Sequence, residues 1–101
     1  MVMGFTEVKK KVIECLKSGN YDYEARKDID LKNVFLVGLL SKEDLIEIIK
    51  VSNGKQYESS PHHLDNSIEV HILKPIKDNK RWYIKFYFLE PNVLFISVHE
   101  S

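Results

Sequence analysis

The stretch RWYIKFYFLEPNVLFISVHES, at residues 81–101, alternates apolar and polar side chains along two segments, and this alternation constrains the fold more than any other feature. Successive side chains of a β-strand point to opposite faces, so a period of two residues indicates a strand with one buried and one wet face. The apolar positions are Trp82, Ile84, Phe86, Phe88, Leu94, Ile96 and Val98. The positions between them hold Tyr83, Lys85, Tyr87, Phe95, Ser97 and His99. The stretch therefore predicts two antiparallel strands that keep a column of polar groups on one face.

The turn between the two segments sets how their residues pair. Glu90-Pro91-Asn92 is typical of a three-residue hairpin connection, which predicts that Leu89 pairs with Val93. The pairs that follow are Phe88–Leu94, Phe86–Ile96 and Ile84–Val98 on one face, and Tyr87–Phe95, Lys85–Ser97 and Tyr83–His99 on the other. The first face is apolar and is expected to pack on helices, while the second is expected to face water.

A third strand, SIEVHIL at residues 67–73, precedes this hairpin, and its turn allows two pairings. A two-residue turn at Asp78-Asn79 would place Ile72 opposite Lys85 and His71 opposite Phe86. A three-residue turn over Lys77-Asp78-Asn79 instead pairs Ile72 with Ile84 and Val70 with Phe86. It also brings His71 beside Lys85 and Glu69 beside Tyr87. Exposing large apolar side chains costs about 1.5–3 kcal/mol each, so the three-residue turn is the predicted one.

The chain before the strands has helical periodicity. In FTEVKKKVIECLKSGN, at residues 5–20, Val8, Val12 and Leu16 fall on one helix face, and Gly19 suits the helix end. The expected N-caps of this helix and of two further ones are Thr6, Asp30 and Ser41.

Helices followed by a meander of strands predict an α+β fold, with the N-terminal helices packed on one face of an antiparallel sheet formed mainly by the C-terminal half. The 101 residues fit a single domain over 1–101. Its helical part is expected at about 5–53 and its strands at about 67–100.

Charge and cysteine content narrow the functional classes. The 15 basic and 15 acidic residues cancel, so any site for a polyanion has to come from local clustering. The single Cys15 excludes an internal disulfide and a thiolate zinc site, which favours a reducing, cytoplasmic location. The N-terminal sequence turns charged at once and no apolar run approaches the length of a membrane span, so no membrane association is expected.

The polar face collects groups that could cleave RNA by acid–base chemistry. Attack of a 2′-hydroxyl on the adjacent phosphate needs a base, an acid and a cation at the phosphate, and only RNA supplies the 2′-hydroxyl. The candidate base is His71 or Glu69, the candidate acid is His99, Lys85 could hold the phosphate, and Tyr83 could orient the phosphate or stack on a base. The expected RNA-binding residues are Lys74, Lys77, Lys80, Arg81 and Tyr87.

Two alternatives remain open on the same residues. The aromatic and basic face could bind RNA or a protein partner without cleaving anything. A metal-dependent protein using His62, His63, His71 and His99 is a third interpretation. Neither metal nor cofactor is expected, because adjacent histidines of an extended loop point in different directions and lack the spacing of a tetrahedral site.

YIKFYFLEPNVLFISVHES, preceded by SIEVHILKP and LLSKEDLIEIIKV, resembles the MqsR-type toxins of bacterial toxin–antitoxin pairs, which are small relatives of the RelE-like ribonuclease fold. The resemblance implies a RelE-like fold and metal-independent cleavage of messenger RNA. It also implies a cognate antitoxin that holds the protein inactive, with the ribosome as a further candidate partner.

The resemblance also suggests which residues act. Tyr83 matches the tyrosine that opens the family's YIKF motif, and Lys85 belongs to the same motif. His99 stands where the family has the lysine of its terminal FKE motif, and Glu47 stands where it has another lysine. A family glutamine falls near Glu69 or Val70, depending on a gap.

Overall fold

The computed structural model describes residues 4–23, 40–62 and 65–100. The described helices are α1 (Phe5–Ser18), α2 (Lys42–Lys50) and a 3-10 turn (Gly54–Gln56). The described strands are β1 (Tyr21–Tyr23), β2 (Tyr57–Pro61), β3 (Glu69–Leu73), β4 (Ile76–Lys77), β5 (Lys80–Leu89) and β6 (Asn92–Glu100). The predicted α+β class is confirmed. The helix expected to begin at Asp30 and the candidate ligand His63 lie outside the described residues.

Helix α1 begins two residues earlier than expected. Its N-cap is Gly4, whose carbonyl accepts a hydrogen bond from the Val8 N–H at 3.0 Å, so the prediction of Thr6 as the cap was wrong. The helix ends as predicted at Gly19, which adopts a left-handed conformation with φ of 78°. Its apolar face, which includes Val12 and Leu16, is buried.

Helix α2 is capped as the sequence predicts. The Ser41 hydroxyl accepts a hydrogen bond from the Asp44 N–H at 3.1 Å, which satisfies one of the free amides of the first turn. Leu45, Ile48 and Ile49 are buried on the side that faces the sheet and α1. The cap therefore fixes the start of a helix whose stripe completes the core.

The sheet is mixed rather than wholly antiparallel. Its strand order is β1-β6-β5-β3-β2, with β4 paired to β5 outside that path. β1 pairs with β6 in parallel, although it lies within the part of the chain expected to be helical, and all other pairs are antiparallel. β2 lies outside the predicted strands, because YESSP lacks an alternating apolar pattern. Four of its five residues are exposed.

The β5–β6 hairpin differs from its prediction near the turn and agrees with it farther away. Leu89 pairs with Asn92, so the turn has two residues instead of three. The pairs next to it are Phe88–Val93, Tyr87–Leu94 and Phe86–Phe95. A β-bulge that adds Ile96 to β6 then restores the predicted register. The predicted pairs Lys85–Ser97, Ile84–Val98 and Tyr83–His99 are confirmed.

The pairing of β3 with β5 is that of the two-residue turn, which was not the predicted one. Ile72 pairs with Lys85 and His71 pairs with Phe86, so the predicted three-residue turn was wrong. Asp78 and Asn79 form a two-residue turn, with φ of 54° and 65°, between Lys77 and Lys80.

The rejected pairing does not carry the expected penalty. Val70 lies on the face opposite the helices, yet it is only 2% exposed, because it packs against Tyr87 and Ile96 in a second apolar cluster. Ile68 and Leu94 pack against the same cluster. Burial of this second face therefore removes the cost that the prediction assigned to it.

The main core lies between the two helices and one face of the sheet. Its largest members in the sheet are Leu73, Ile84, Phe86 and Phe95, all fully buried. Trp82 and Phe88 pack against it from β5. Within the described ranges, neither helix has the length and apolar character needed to cross a membrane.

Candidate functional site

Five of the polar residues gather on the sheet face opposite the helices. Arg81, Tyr83 and Lys85 occupy alternate positions of β5, and His99 is the β6 partner of Tyr83. Lys74 follows Leu73, the β3 partner of Ile84, which places it next to Tyr83. We call Lys74, Arg81, Tyr83, Lys85 and His99 the Tyr83 surface.

The centre of the Tyr83 surface is a stacked pair of rings. The rings of Tyr83 and His99 lie nearly parallel, at 23°, with their centroids 5.2 Å apart. His99 Nδ1 lies 2.8 Å from the backbone oxygen of Glu100. A carbonyl oxygen only accepts, so Nδ1 carries a proton and donates it to this bond. The orientation of the imidazole is thereby fixed, and Nε2 is the ring nitrogen left outside this bond.

Three cations flank the stacked rings. Arg81 and Lys85 stand two residues before and after Tyr83, a step of about 7 Å along the strand. Lys74 approaches from the neighbouring strand. The pKa of Lys74 is raised, chiefly by a hydrogen bond and the charge of Glu58, and to a smaller extent by Tyr83. A chain with no net charge thus acquires a positive patch around one aromatic pair.

Ser97 completes the row next to the rings. It pairs with Lys85 across β5 and β6 and is 8% exposed. Lys85 itself is half-buried, as are Tyr83 and His99. The half-buried positions are those of long or ring-shaped side chains, whose polar ends reach solvent while their stems pack on the sheet.

Two of the expected RNA-binding lysines lie elsewhere. Lys77 and Lys80 border a cavity of about 250 Å³ beside Trp82, on the helix side of the sheet, together with the carboxylates of α2. Lys77 also forms an ion pair with Asp78 at 2.8 Å. They therefore do not join Lys74 and Arg81 on the Tyr83 surface, because alternate residues of the β4–β5 hairpin point to opposite faces.

Tyr87 shares the face of Tyr83 but is not available for stacking. It is 7% exposed and packs with Val70 and Ile96. The ring of His62 meets it edge-on, with centroids 5.0 Å apart. The structure therefore gives no support to Tyr87 as an RNA-binding residue, because its neighbours leave little of its ring at the surface.

His71 and Glu69 are separated from the Tyr83 surface by the sheet itself. The register of β3 turns His71 toward the helices, where its ring contacts Phe86 and Phe88 and is 3% exposed. Tyr57 places its hydroxyl 2.8 Å from Nδ1 of His71. The nearer oxygen of Glu69 lies 3.9 Å from the same atom. The predicted grouping of His71 and Glu69 with His99 was wrong.

Burial controls the charge state of His71. Removal from water, and secondarily the charge of Lys11, lower the pKa of this imidazole to about 4. His71 is therefore neutral near pH 7, which also prevents a full ion pair with Glu69. Burial likewise raises the pKa of the Tyr57 hydroxyl, which stays protonated near pH 7 and shares a hydrogen bond with Nδ1 of the neutral His71.

The histidines do not form a metal site in the part of the chain that the structure describes. No group of three or more His, Cys, Asp or Glu side chains there has the arrangement to hold a metal ion. His62 lies against Tyr87, His71 lies under the helices and His99 lies on Tyr83. The four-histidine interpretation therefore lacks geometric support.

Comparison with known proteins adds no relative: no family model, no curated protein and no solved structure matches the chain. The resemblance to MqsR-type toxins and the RelE-like assignment accordingly stay predictions. Of the proposed catalytic residues, Tyr83, Lys85 and His99 are brought together. One neighbour of the site was missed: Glu58 precedes the predicted strands, and its pairing with Lys74 follows only from the unpredicted strand β2.

Proposed function

We propose that the protein is a toxin-type endoribonuclease that binds single-stranded RNA on the Tyr83 surface and cleaves it without a metal. The observation that supports this most is the parallel stack of Tyr83 on His99, flanked by Lys74, Arg81 and Lys85. The pattern resemblance of residues 82–101 to MqsR-type toxins agrees with the proposal.

Single-stranded RNA suits this surface better than a duplex. An exposed aromatic ring on a sheet stacks on an unpaired base, and such stacking contributes about 1–3 kcal/mol per base. Arg81 and Lys85 lie one strand step to either side of the Tyr83 ring, where the phosphates next to a stacked base would pass. The sequence-independent part of binding would come from these cations.

The cleavage step follows from the orientation of His99. The 2′-hydroxyl loses its proton to water, and its oxygen attacks the adjacent phosphorus. The P–O5′ bond breaks as the new bond forms, and Nε2–H of the protonated His99 gives its proton to the leaving 5′-oxygen. The products are a 2′,3′-cyclic phosphate and a 5′-hydroxyl. Lys85 stabilises the negative charge that builds on the phosphate.

A second candidate function is RNA binding without cleavage. It is favoured by one observation, the position of His71 and Glu69 on the opposite face of the sheet. Both candidates for the general base are thereby removed from the Tyr83 surface. General acid–base catalysis raises a rate by about 10²–10⁴. Without a general base the protein would cleave RNA slowly, and without any cleavage it would be an RNA-binding protein.

Cleavage of a labelled single strand in the presence of EDTA tests the proposal. We expect the wild type to cut RNA and leave the matching DNA intact, and His99→Ala to lower the rate at least about 100-fold while still binding RNA. Lys17→Ala, on the exposed side of α1, is the matched control and should cut normally. Binding without cleavage would select the second candidate, and absence of both binding and cleavage would refute the two together.

A toxin of this kind acts in the cytoplasm on messenger RNA and is paired with a cognate antitoxin. Induced expression of the wild type should arrest growth, and His99→Ala should not. Comparing cleavage of naked and ribosome-bound messenger RNA would decide whether the ribosome is a partner. Normal growth under strong expression of soluble wild-type protein would contradict the toxin assignment.

A further inference from the structure

Lys74 differs from the other cations of the Tyr83 surface because it is already paired. Its ammonium group forms an ion pair with the Glu58 carboxylate of the edge strand β2. The two side chains are 50% and 57% exposed, so solvent and ligands reach both. Among the described residues, neither Arg81 nor Lys85 has such a carboxylate partner.

The strand order explains how a carboxylate comes to the border of a cationic surface. Glu58 pairs with Ile72, and Ile72 pairs in turn with Lys85. Glu58 therefore stands on the same sheet face as Tyr83, two strands away from Lys85. The hydrogen bond and charge of Glu58 are the main causes of the raised pKa of Lys74.

We infer that Glu58 restrains RNA binding by occupying Lys74 in the free protein. The inference rests on the proposed function and extends it, because it assigns a regulatory role to a residue outside the proposed machinery. RNA has to exchange the carboxylate on Lys74 for a phosphate, and Glu58 at the same time repels phosphates that pass beyond Lys74. The ion pair thus weakens binding and marks the edge of the RNA path.

Removal of the Glu58 charge should release Lys74. Exposed ion pairs of this kind are weak, so Glu58→Gln is expected to tighten RNA binding about threefold. The salt dependence should change as well. When RNA binds the wild type, the phosphate that contacts Lys74 releases a counterion, and the Glu58 carboxylate that leaves Lys74 takes up a cation. In Glu58→Gln the phosphate contact still releases its counterion, but no carboxylate takes one up. The slope of log K against log salt should steepen by about 0.7, the value for one contact on a single strand.

The test measures binding of a fluorescent 2′-O-methyl single strand, which cannot be cleaved because it has no free 2′-hydroxyl. The proteins compared are the wild type, Glu58→Gln, Lys74→Met and the double variant. Glu43→Gln, on the exposed side of α2, makes the same change in net charge far from the Tyr83 surface and serves as the control.

The inference predicts that Glu58→Gln tightens binding and steepens the slope, and that both effects vanish when Lys74 is Met. Equal effects of Glu58→Gln and Glu43→Gln would overturn it, since they would show a general charge effect. Equal tightening with and without Lys74 would overturn it too. If the wild type itself does not bind the strand, the proposed function fails first and the inference fails with it.

Discussion

Acidification from about pH 7.5 to pH 5 should destabilise the folded protein through His71. This imidazole is 3% exposed and is surrounded by Lys11 from α1, Tyr57 from β2 and Glu69 from its own strand. Its pKa is lowered from an ordinary value of 6.5 to about 4 in the folded protein. Between these two values the unfolded chain binds the proton and the folded protein does not, so the free energy of unfolding falls as the pH falls.

The magnitude follows from the two pKa values. One pKa unit corresponds to about 1.4 kcal/mol, so the full loss is about 3 kcal/mol and is reached only below pH 4. At pH 5 the loss is about 2 kcal/mol, which for a domain of this size lowers the melting temperature by roughly 10 °C. Stability from this source is fully present above pH 6.5 and is lost as the pH falls toward 4.

Urea unfolding of the wild type and His71→Phe at both pH values isolates the effect. The variant cannot take up the proton, so its free energy of unfolding should fall by about 2 kcal/mol less than that of the wild type.

Equal pH dependence of the wild type and His71→Phe would refute the reasoning. A titration of the wild type by NMR gives an independent check if the variant does not fold. The His71 ring resonances should keep their neutral positions down to about pH 5, and a midpoint near 6.5 would contradict the assigned environment.

Three further predictions concern the capped helix, the tight turn and the stacked rings. Ser41→Ala should lower the free energy of unfolding by about 1 kcal/mol, measured by urea denaturation, because the Asp44 N–H loses its acceptor. Asn79→Val should lower it by about 1–3 kcal/mol in the same assay, since a β-branched residue is strained at φ of 65°, whereas Asn79→Gly should be tolerated. Tyr83→Phe should bind a single-stranded RNA normally and Tyr83→Ala about tenfold or more weakly, measured by fluorescence anisotropy; equal losses would exclude stacking as the role of the ring.

The fold class was accessible from the sequence because helical and strand periods occupy separate parts of the chain. The register near the β5–β6 turn was not accessible. Residues 93–96 are four apolar residues in succession, so either alternate set could face the helices. The structure buries Val93 and Phe95 there and adds Ile96 as a bulge, and no local pattern distinguishes this from regular pairing.

The position of the candidate site was predicted from the sequence only in part, again because of strand register. Tyr83, Lys85 and His99 were placed correctly because the register beyond the bulge depends on strongly alternating segments. His71 was misplaced because the prediction assumed that only one sheet face is apolar. Val70 and its neighbours form a second buried cluster, so the other pairing of β3 does not expose Val70 to water.

The parallel pairing of β1 with β6 ties together two segments that are far apart in the sequence. β1 is short, and among the described strands its partner is β6, so we expect it to gain its ladder after the hairpin that contains β6 has formed. Closing such a long loop costs chain entropy before the β1–β6 hydrogen bonds form, so we expect β1 to become ordered near the end of folding. Tyr83 lies on β5 and His99 on β6 of the hairpin, so we expect the polar face to form with the hairpin, before β1 completes the sheet.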